Sequence, residues 1–443
     1  MSTKISYLLL FLFTMQLSVK GQQFNKAKLD SFFDILEAKD RFMGSVAVSK
    51  QGKIIYRRSL GWADFSKKQK VNENTLYRIG SISKTFTAVL VMKAVEEGKL
   101  QLDQKLRSFF PDQPNAEKIT IEHLLRHQSG IANFTDDSSY LSWNTTPQSI
   151  DELTARIAAM GSVFEPGIKS EYSNSNYVLL TYILQKVMGS YFSTLLEHYI
   201  TKPLGLKNTR LGGKIDVSQN ECKSYGFGKS WVEETETDMS IPLGAGAVVS
   251  TPSDLVKFSD ALMGGKLLKP ESFKLMCTLD RGFGFGLFSI PFYEMNAFGH
   301  TGGIDGFTSV FSFFKEADLS FALTSNGARI DNNEVSIAVL SALFEKPFSL
   351  PEFSDYAPQL ADLEPLTGLY TSSQMPLKIT VSLSGATLSA QATGQSAFPL
   401  DPIAPNRFQF LPAGIEMIFN PAEQSMTLNQ GGATFQFKKE PTK

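Results

Sequence analysis

The hydrophobic pattern changes character at Pro351, and no single sheet or bundle accommodates both halves. Before it, helical and β-rich runs are mixed. Leu29, Phe32, Phe33 and Leu36 fall at i, i+3, i+4 and i+7, which predicts an amphipathic helix over 27–39. Runs 45–48 and 54–59 flank Gln51-Gly52-Lys53 and read as a hairpin. Helical spacing recurs over 81–97, 121–126, 176–187 and 255–263, the last behind a Thr-Pro-Ser-Asp start signal. Two β-rich runs follow at 307–314 and 319–324. After Pro351 only short β-type runs remain: 367–372, 377–383, 387–392, 407–411, 415–420, 425–428 and 434–437. Turn residues at short intervals favour a small antiparallel barrel or sandwich there.

The expected organisation has four parts. Residues 1–21 carry Lys4, an apolar run from Ile5 to Met15 and small residues before Gln22, which reads as a secretory leader. The apolar run is short for a membrane span. The expectation is therefore an exported protein, periplasmic or secreted, with no stable membrane insertion after cleavage. Residues 22–350 form the larger domain, 351–365 a linker with three prolines, and 366–443 the β domain. The larger domain is expected to be α+β: an antiparallel sheet with helices on both faces and an all-helical lobe between Lys84 and about Leu211. Lys+Arg number 43 against 44 Asp+Glu, so no electrostatic footprint for nucleic acid exists. Cys222 and Cys277 cannot make a disulfide framework and read as two separate buried thiols.

Chemistry concentrates at Gly80-Ser81-Ile82-Ser83-Lys84. At a helix start, Ser81 and Lys84 stand on one face about one turn apart. A serine hydroxyl becomes a strong nucleophile when a neighbouring base takes its proton, and a lysine can serve. The helix N-terminus adds N–H groups for a developing oxyanion. Ser-x-x-Lys alone is a weak signal, because Ser312-Phe-Phe-Lys315 repeats it on a β-rich run. There, residues three apart face opposite ways. Tyr172-Ser173-Asn174 is the sole Tyr-x-Asn among thirteen tyrosines and reads as a loop before the 176–187 helix. A tyrosine near a lysine can shuttle protons, and an asparagine amide can hold a carbonyl or simply cap the helix. His300-Thr301-Gly302-Gly303 reads either as a cleft edge or as a hairpin turn.

Ser-x-x-Lys, Tyr-x-Asn and His-Thr-Gly, in that order, resemble the three motifs of the penicillin-recognising serine hydrolases. The likeness is to the class C β-lactamase branch, with its DD-peptidases, D-aminopeptidases and esterases, and it runs over about 24–348. Flanking stretches share it: residues 76–80, 97–100, 123–131 and Gly244-Ala245-Gly246. The resemblance implies an acyl-enzyme on Ser81, with Lys84 as proton acceptor and Tyr172 as relay. It implies that Asn174, His300, Thr301 and Gly302 contact substrate, and that the N–H groups of Ser81 and Gly303 form the oxyanion hole. It implies no cofactor and no metal. The expected partner is a small peptide, amide or ester, with oligomeric state left open. His300 departs from the lysine of true class C β-lactamases, which favours a peptidase or amidase on D-amino-acid or peptidoglycan-type peptides. An esterase, a β-lactamase and a non-catalytic penicillin-binding sensor stay as alternatives. The tail from Leu366 is similar to a lipocalin-like barrel appended to many exported hydrolases.

Other templates fail. The chain has no Gly-x-Ser-x-Gly elbow. His123 and His127 have zinc-like spacing, but Leu124 holds the place of the zincin glutamate and the pair reads as a helix end. Gly282-Phe283-Gly284-Phe285-Gly286 reads as a cleft rim or turn, since the spacing of a dinucleotide loop is missing.

Overall fold

In the computed structural model, six strands with residues buried on both sides form an antiparallel sheet. It describes residues 24–441 except 229, 355, 386, 396, 411, 412, 431 and 432. The expected leader, residues 1–21, therefore lies outside the described residues. In chain order the strands of this sheet are β1 (Phe42–Lys50), β2 (Lys53–Leu60), β3 (Phe288–Phe292), β4 (Met295–Ile304), β5 (Phe307–Phe314) and β6 (Leu319–Ala328). They lie side by side as β3-β4-β5-β6-β1-β2. The predicted hairpin is β1–β2, and β3 and β4 are strands that the residue pattern did not disclose.

Helices cover both faces: α1 (Lys26–Ala38), α2 (Ser83–Glu96), α3 (Asn174–Met188), α4 (Pro252–Met263) and α5 (Asn332–Leu343). Strand alternation explains the layering. Val46 and Val48 of β1 pack with Leu29, Phe33 and Val339 of α1 and α5, while Ala47 between them faces α2 and α4. On that second face Phe86 of α2 stacks on Phe258 of α4, centroids 3.9 Å apart. Short helices such as Ile121–Leu125, Ile150–Met160 and Phe192–Leu196 build the expected helical lobe around α2 and α3.

The helix starts follow their chemistry. Thr251 caps α4 by accepting from the Asp254 N–H, with Pro252 at the first helical position. Gly189, in the left-handed conformation, ends α3. Helix α2 differs: every residue from Ser83 to Met92 is buried, so it is a core helix rather than an amphipathic one. The hydroxyls it buries bond to neighbouring segments. Ser83 Oγ accepts from Val248 N, Thr85 donates to Gly286 O, and Thr87 donates to Gly244 O. These bonds hold the strand Val248–Ser250, the segment at Gly286 and the short helix Leu243–Gly246 against the first turns of the helix.

The C-terminal part is a closed barrel of eight strands: β7 (Gly368–Thr371), β8 (Ile379–Ser384), β9 (Thr387–Ala392), β10 (Phe398–Ala404), β11 (Arg407–Phe410), β12 (Ile415–Asn420), β13 (Ser425–Gln430) and β14 (Ala433–Lys439). Closure is β14 on β7, with Tyr370 opposite Lys439. The residue pattern yields seven runs, and the eighth is β10. Pro399 and Pro402 interrupt it, and its pairing with β11 slips between Pro402 and Ala404. The described part of the proline-bearing segment before the barrel is anchored at both ends. Phe353 packs under α1 and α5, the Glu352 carbonyl accepts from Gln409, and Leu363 and Leu366 enter the barrel core.

Candidate active site

Gly80 opens the site. Its φ is +49°, and a Cβ there would stand 2.7 Å from the Gly303 nitrogen, so only glycine fits. One residue on, Ser81 lies in a 3-10 turn (Gly80–Ile82) that feeds into α2. This puts the Ser81 backbone beside the end of β4. Gly302 fits as closely: a Cβ would meet the Ile79 carbonyl at 2.0 Å. The segment 300–303 is thus strand, within β4, and its glycines serve close backbone contact instead of a turn. The first residue of α3 is Asn174, so Tyr-x-Asn sits at the helix start rather than in a loop before it. The Asn174 side chain does not cap the helix. It reaches across to Lys84.

The Lys84 amine is fully buried and has three neighbours: Asn174 Oδ1 at 2.7 Å, the Ala245 carbonyl at 2.8 Å and Ser81 Oγ at 3.0 Å. Burial holds its pKa well below the usual lysine range. A neutral amine has two N–H bonds and one lone pair. The two carbonyl oxygens can only accept, so they take the N–H bonds. The lone pair is left for Ser81, the one neighbour able to donate. The Tyr172 hydroxyl also hydrogen-bonds with Ser81, and burial raises that phenol's pKa, so it stays protonated. Asn174 is itself fixed: Asn133 Oδ1 accepts from its backbone N–H at 3.0 Å, and Thr135 Oγ1 from its amide at 3.2 Å.

Two buried imidazoles flank these groups. His300 is 3% exposed, and burial pushes its pKa down to about 3. Its Nδ1 lies 2.5 Å from the Thr301 carbonyl, an acceptor, so Nδ1 carries the proton. The ring packs on Phe288, centroids 4.6 Å apart. His127, with φ +56°, lies beyond the end of the Ile121–Leu125 helix and stacks on Tyr172 at 4.6 Å. Its Nδ1 accepts from the Ser173 N–H at 3.1 Å. His123 is occupied elsewhere, in a capping box with Thr120. Among the described residues no group of His, Cys, Asp or Glu is arranged to hold a metal ion. The Gly282–Gly286 stretch backs the site: Phe283 meets the His127 ring, and Gly286 presses on the Lys84 backbone.

A cavity of about 580 Å³ opens over these groups, a size that suits a small ligand. Ser81, Asn174, Ala245 and Gly303 line its floor. Its far wall is the stretch Glu234–Thr237 with Asp305, held by a buried network. Arg78, 2% exposed, pairs with Asp305 at 2.5 Å and Glu236 at 2.9 Å, and Asp305 also accepts from Thr237 N and Oγ1. The structure thus brings together Ser81, Lys84, Tyr172 and Asn174, with Gly302 and Gly303 against residues 79–80 and the buried His300 ring 6.4 Å from that of Tyr172. Thr301 is exposed on β4. Asn133, Thr135, His127 and the Arg78 network were not among the residues singled out for the site. Arg78 and His127 lie in the flanking stretches 76–80 and 123–131 that share the family likeness, but neither was assigned a role, and the His123/His127 pair read as a helix end. Cys222 and Cys277 are both free thiols, the first buried and the second half-buried.

Comparison with known proteins agrees with this arrangement. The chain is 26% identical over 434 residues to a penicillin-binding protein of Bacillus subtilis (strain 168), covering 90% of this chain and 95% of that one. An octameric penicillin-binding protein homologue from Pyrococcus abyssi shares the fold across 94% of this chain and 100% of its own, with TM-score 0.68 and 24% identity. The D-amino acid amidase of Ochrobactrum anthropi SV3 superposes with TM-score 0.64 at 27% identity, over 71% of this chain and 99% of its own. The sequence model of the Beta-lactamase family matches residues 30–343. That span takes in every strand of the main sheet and all three motifs, and the chain belongs to the Beta-lactamase family, as a serine hydrolase of the penicillin-binding-protein fold.

Proposed function

We propose that the chain hydrolyses small amides and esters of D-amino acids, including peptidoglycan-type peptides, through an acyl-enzyme on Ser81. One observation carries the reading: the buried Lys84 amine lies 3.0 Å from Ser81 Oγ, and its other two neighbours, Asn174 Oδ1 and the Ala245 carbonyl, can only accept. Ser81 Oγ bonds to the acyl carbon while its proton passes to Lys84. The bond to the leaving amine or alcohol breaks as Tyr172 gives its proton to that group and takes the one on Lys84. Water then attacks the ester, its proton moving to the same pair, and Ser81 leaves and is reprotonated. The N–H groups of Ser81 and Gly303 would hold the oxyanion of both steps. Asn174 would both orient Lys84 and meet the substrate's amide carbonyl, with His300, Thr301 and Gly302 as the opposite wall.

The neutral His300 in place of a lysine supports an amidase or peptidase over a β-lactamase. The D-amino acid amidase among the similar structures supports the D-configured substrate class. The leader at residues 1–21 supports export. Among the described residues no helix is long and apolar enough to cross a membrane. A fluorophosphonate should add one adduct mass to Ser81, and Ser81→Ala should take up none. In parallel, D-aminoacyl amides, D-Ala-D-Ala peptides, p-nitrophenyl esters and nitrocefin should be compared by kcat/KM. Nitrocefin turning over faster than every D-amino-acid substrate would defeat the assignment.

A further inference from the structure

We propose that the cleft selects its acyl donor by charge, with Glu234 receiving a free ammonium on the acyl part while the acyl carbon lies at Ser81. This rests on the acyl-enzyme reading above and adds the group that decides which amides and esters enter. Among the described residues lining the cavity, only Glu234 and Asp305 carry charge. Asp305 is spent on Arg78 and Thr237. Glu234 is exposed, and among the described residues its carboxylate has no hydrogen-bond or ion-pair partner. It packs on the turn that follows β4, where its Cγ would lie 2.8 Å from a Cβ on Gly306, three residues past Gly303. Its Oε1 would lie 2.4 Å from a Cβ on Gly226, so the carboxylate stands at the rim of the cavity between Gly306 and Gly226.

Among the described residues lining the cavity there is no cation to hold a substrate carboxylate, and Lys214 lies in the adjoining pocket that shares Glu234 and Thr237. Arg78 is closed off by Asp305, Glu236 and the carbonyls of Gly213 and Thr237. Lys84 is buried on its two carbonyls. His300 is held neutral by burial. A peptide ending in a free carboxylate would meet Glu234 as a like charge, and a donor with a free amine would meet it as a partner. The fit is to the N-terminal end of a D-amino-acid compound rather than to the C-terminal end.

The test compares kcat/KM for D-alanine p-nitroanilide and its N-acetyl derivative, with Nα-acetyl-D-Ala-D-Ala as a third substrate. Fluorophosphonate labelling of Ser81 is followed on the same preparations. The wild type should prefer the free amine at least tenfold and cleave the carboxylate peptide slowest. E234Q should cut that preference by about tenfold or more, and E234K should reverse it. A wild-type preference at or below unity overturns the inference, and so does a preference that survives in E234Q. Labelling of Ser81 in those cases leaves the acyl-enzyme reading standing. Absence of both labelling and turnover removes that reading and the inference with it.

Discussion

Two segments of this chain share the pattern Ser-x-x-Lys, and the protein treats them oppositely. At Ser81/Lys84 the lysine is buried to 0% exposure and the serine borders a cavity. At Ser312/Lys315 the serine is 1% exposed inside β5, the lysine lies on the surface, and the serine hydroxyl has no partner. The first pair straddles a 3-10 turn and the first turn of a helix. The second runs off the end of a strand, where a step of three reverses the side-chain direction. The difference lies in what surrounds the amine. Lys84 is buried against two fixed carbonyls, and Lys315 is exposed to solvent. A motif becomes chemistry when burial shifts its pKa and carbonyls fix its valences.

The contrast breaks most directly at the serines. Ser81→Ala should lower kcat by roughly 10⁴–10⁶, as loss of one member of a cooperating unit does, while Ser312→Ala keeps it within about twofold. Comparable losses in both would refute the assignment. Next, Lys84→Met should cost about 10²–10⁴ in kcat/KM, the range of a lost proton acceptor, and Lys315→Met should cost nothing measurable. A Lys84→Met enzyme at full rate would show that another group takes the proton.

Burial of the same pocket should also appear in acid. The imidazole of His300 has an ordinary pKa of 6.5 when unfolded and about 3 when folded. Between those values the unfolded chain binds a proton that the native ring refuses. Stability is therefore full above pH 6.5 and erodes as pH falls toward 3, by on the order of a few kcal/mol. His127 is shifted the same way. Urea midpoints measured from pH 7 to 4 should fall less steeply for His300→Gln than for the wild type. Parallel curves would mean that His300 is protonated in the native state. The smallest effect is at Ser312 itself. Removing a buried hydroxyl that bonds to nothing should leave stability unchanged or raise it by up to about 1 kcal/mol. A loss above that in thermal unfolding would reveal a partner for Ser312 Oγ.

What could be read in advance divides along the same line. The convergence of Ser81, Lys84, Tyr172 and Asn174 was legible because proton transfer demands particular side chains at local spacings. The break at Pro351 was legible because a barrel and a helix-covered sheet bury different periodicities. Strand β10 was hidden by Pro399 and Pro402, and the strand character of 300–303 by its glycines. The supports of the site were hidden for another reason. Arg78 and Asp305 lie 227 residues apart in sequence, and Asn174 lies 41 from Asn133. No local pattern encodes such pairs, because the folded backbone alone brings them into contact.

The contact of Gly80 with Gly303 bears on how such an enzyme can diverge. On that side, the turn that carries Ser81 and the facing strand touch through backbone alone, and any side chain at position 80 would force them apart. At that contact there is no side chain to vary. The rim, where Leu141 and Glu234 present side chains to the same cavity, has room to change. Reactivity and taste are thus inherited on separate surfaces. A lineage can trade one substrate for another by drift along the rim while the machinery beneath passes down unaltered.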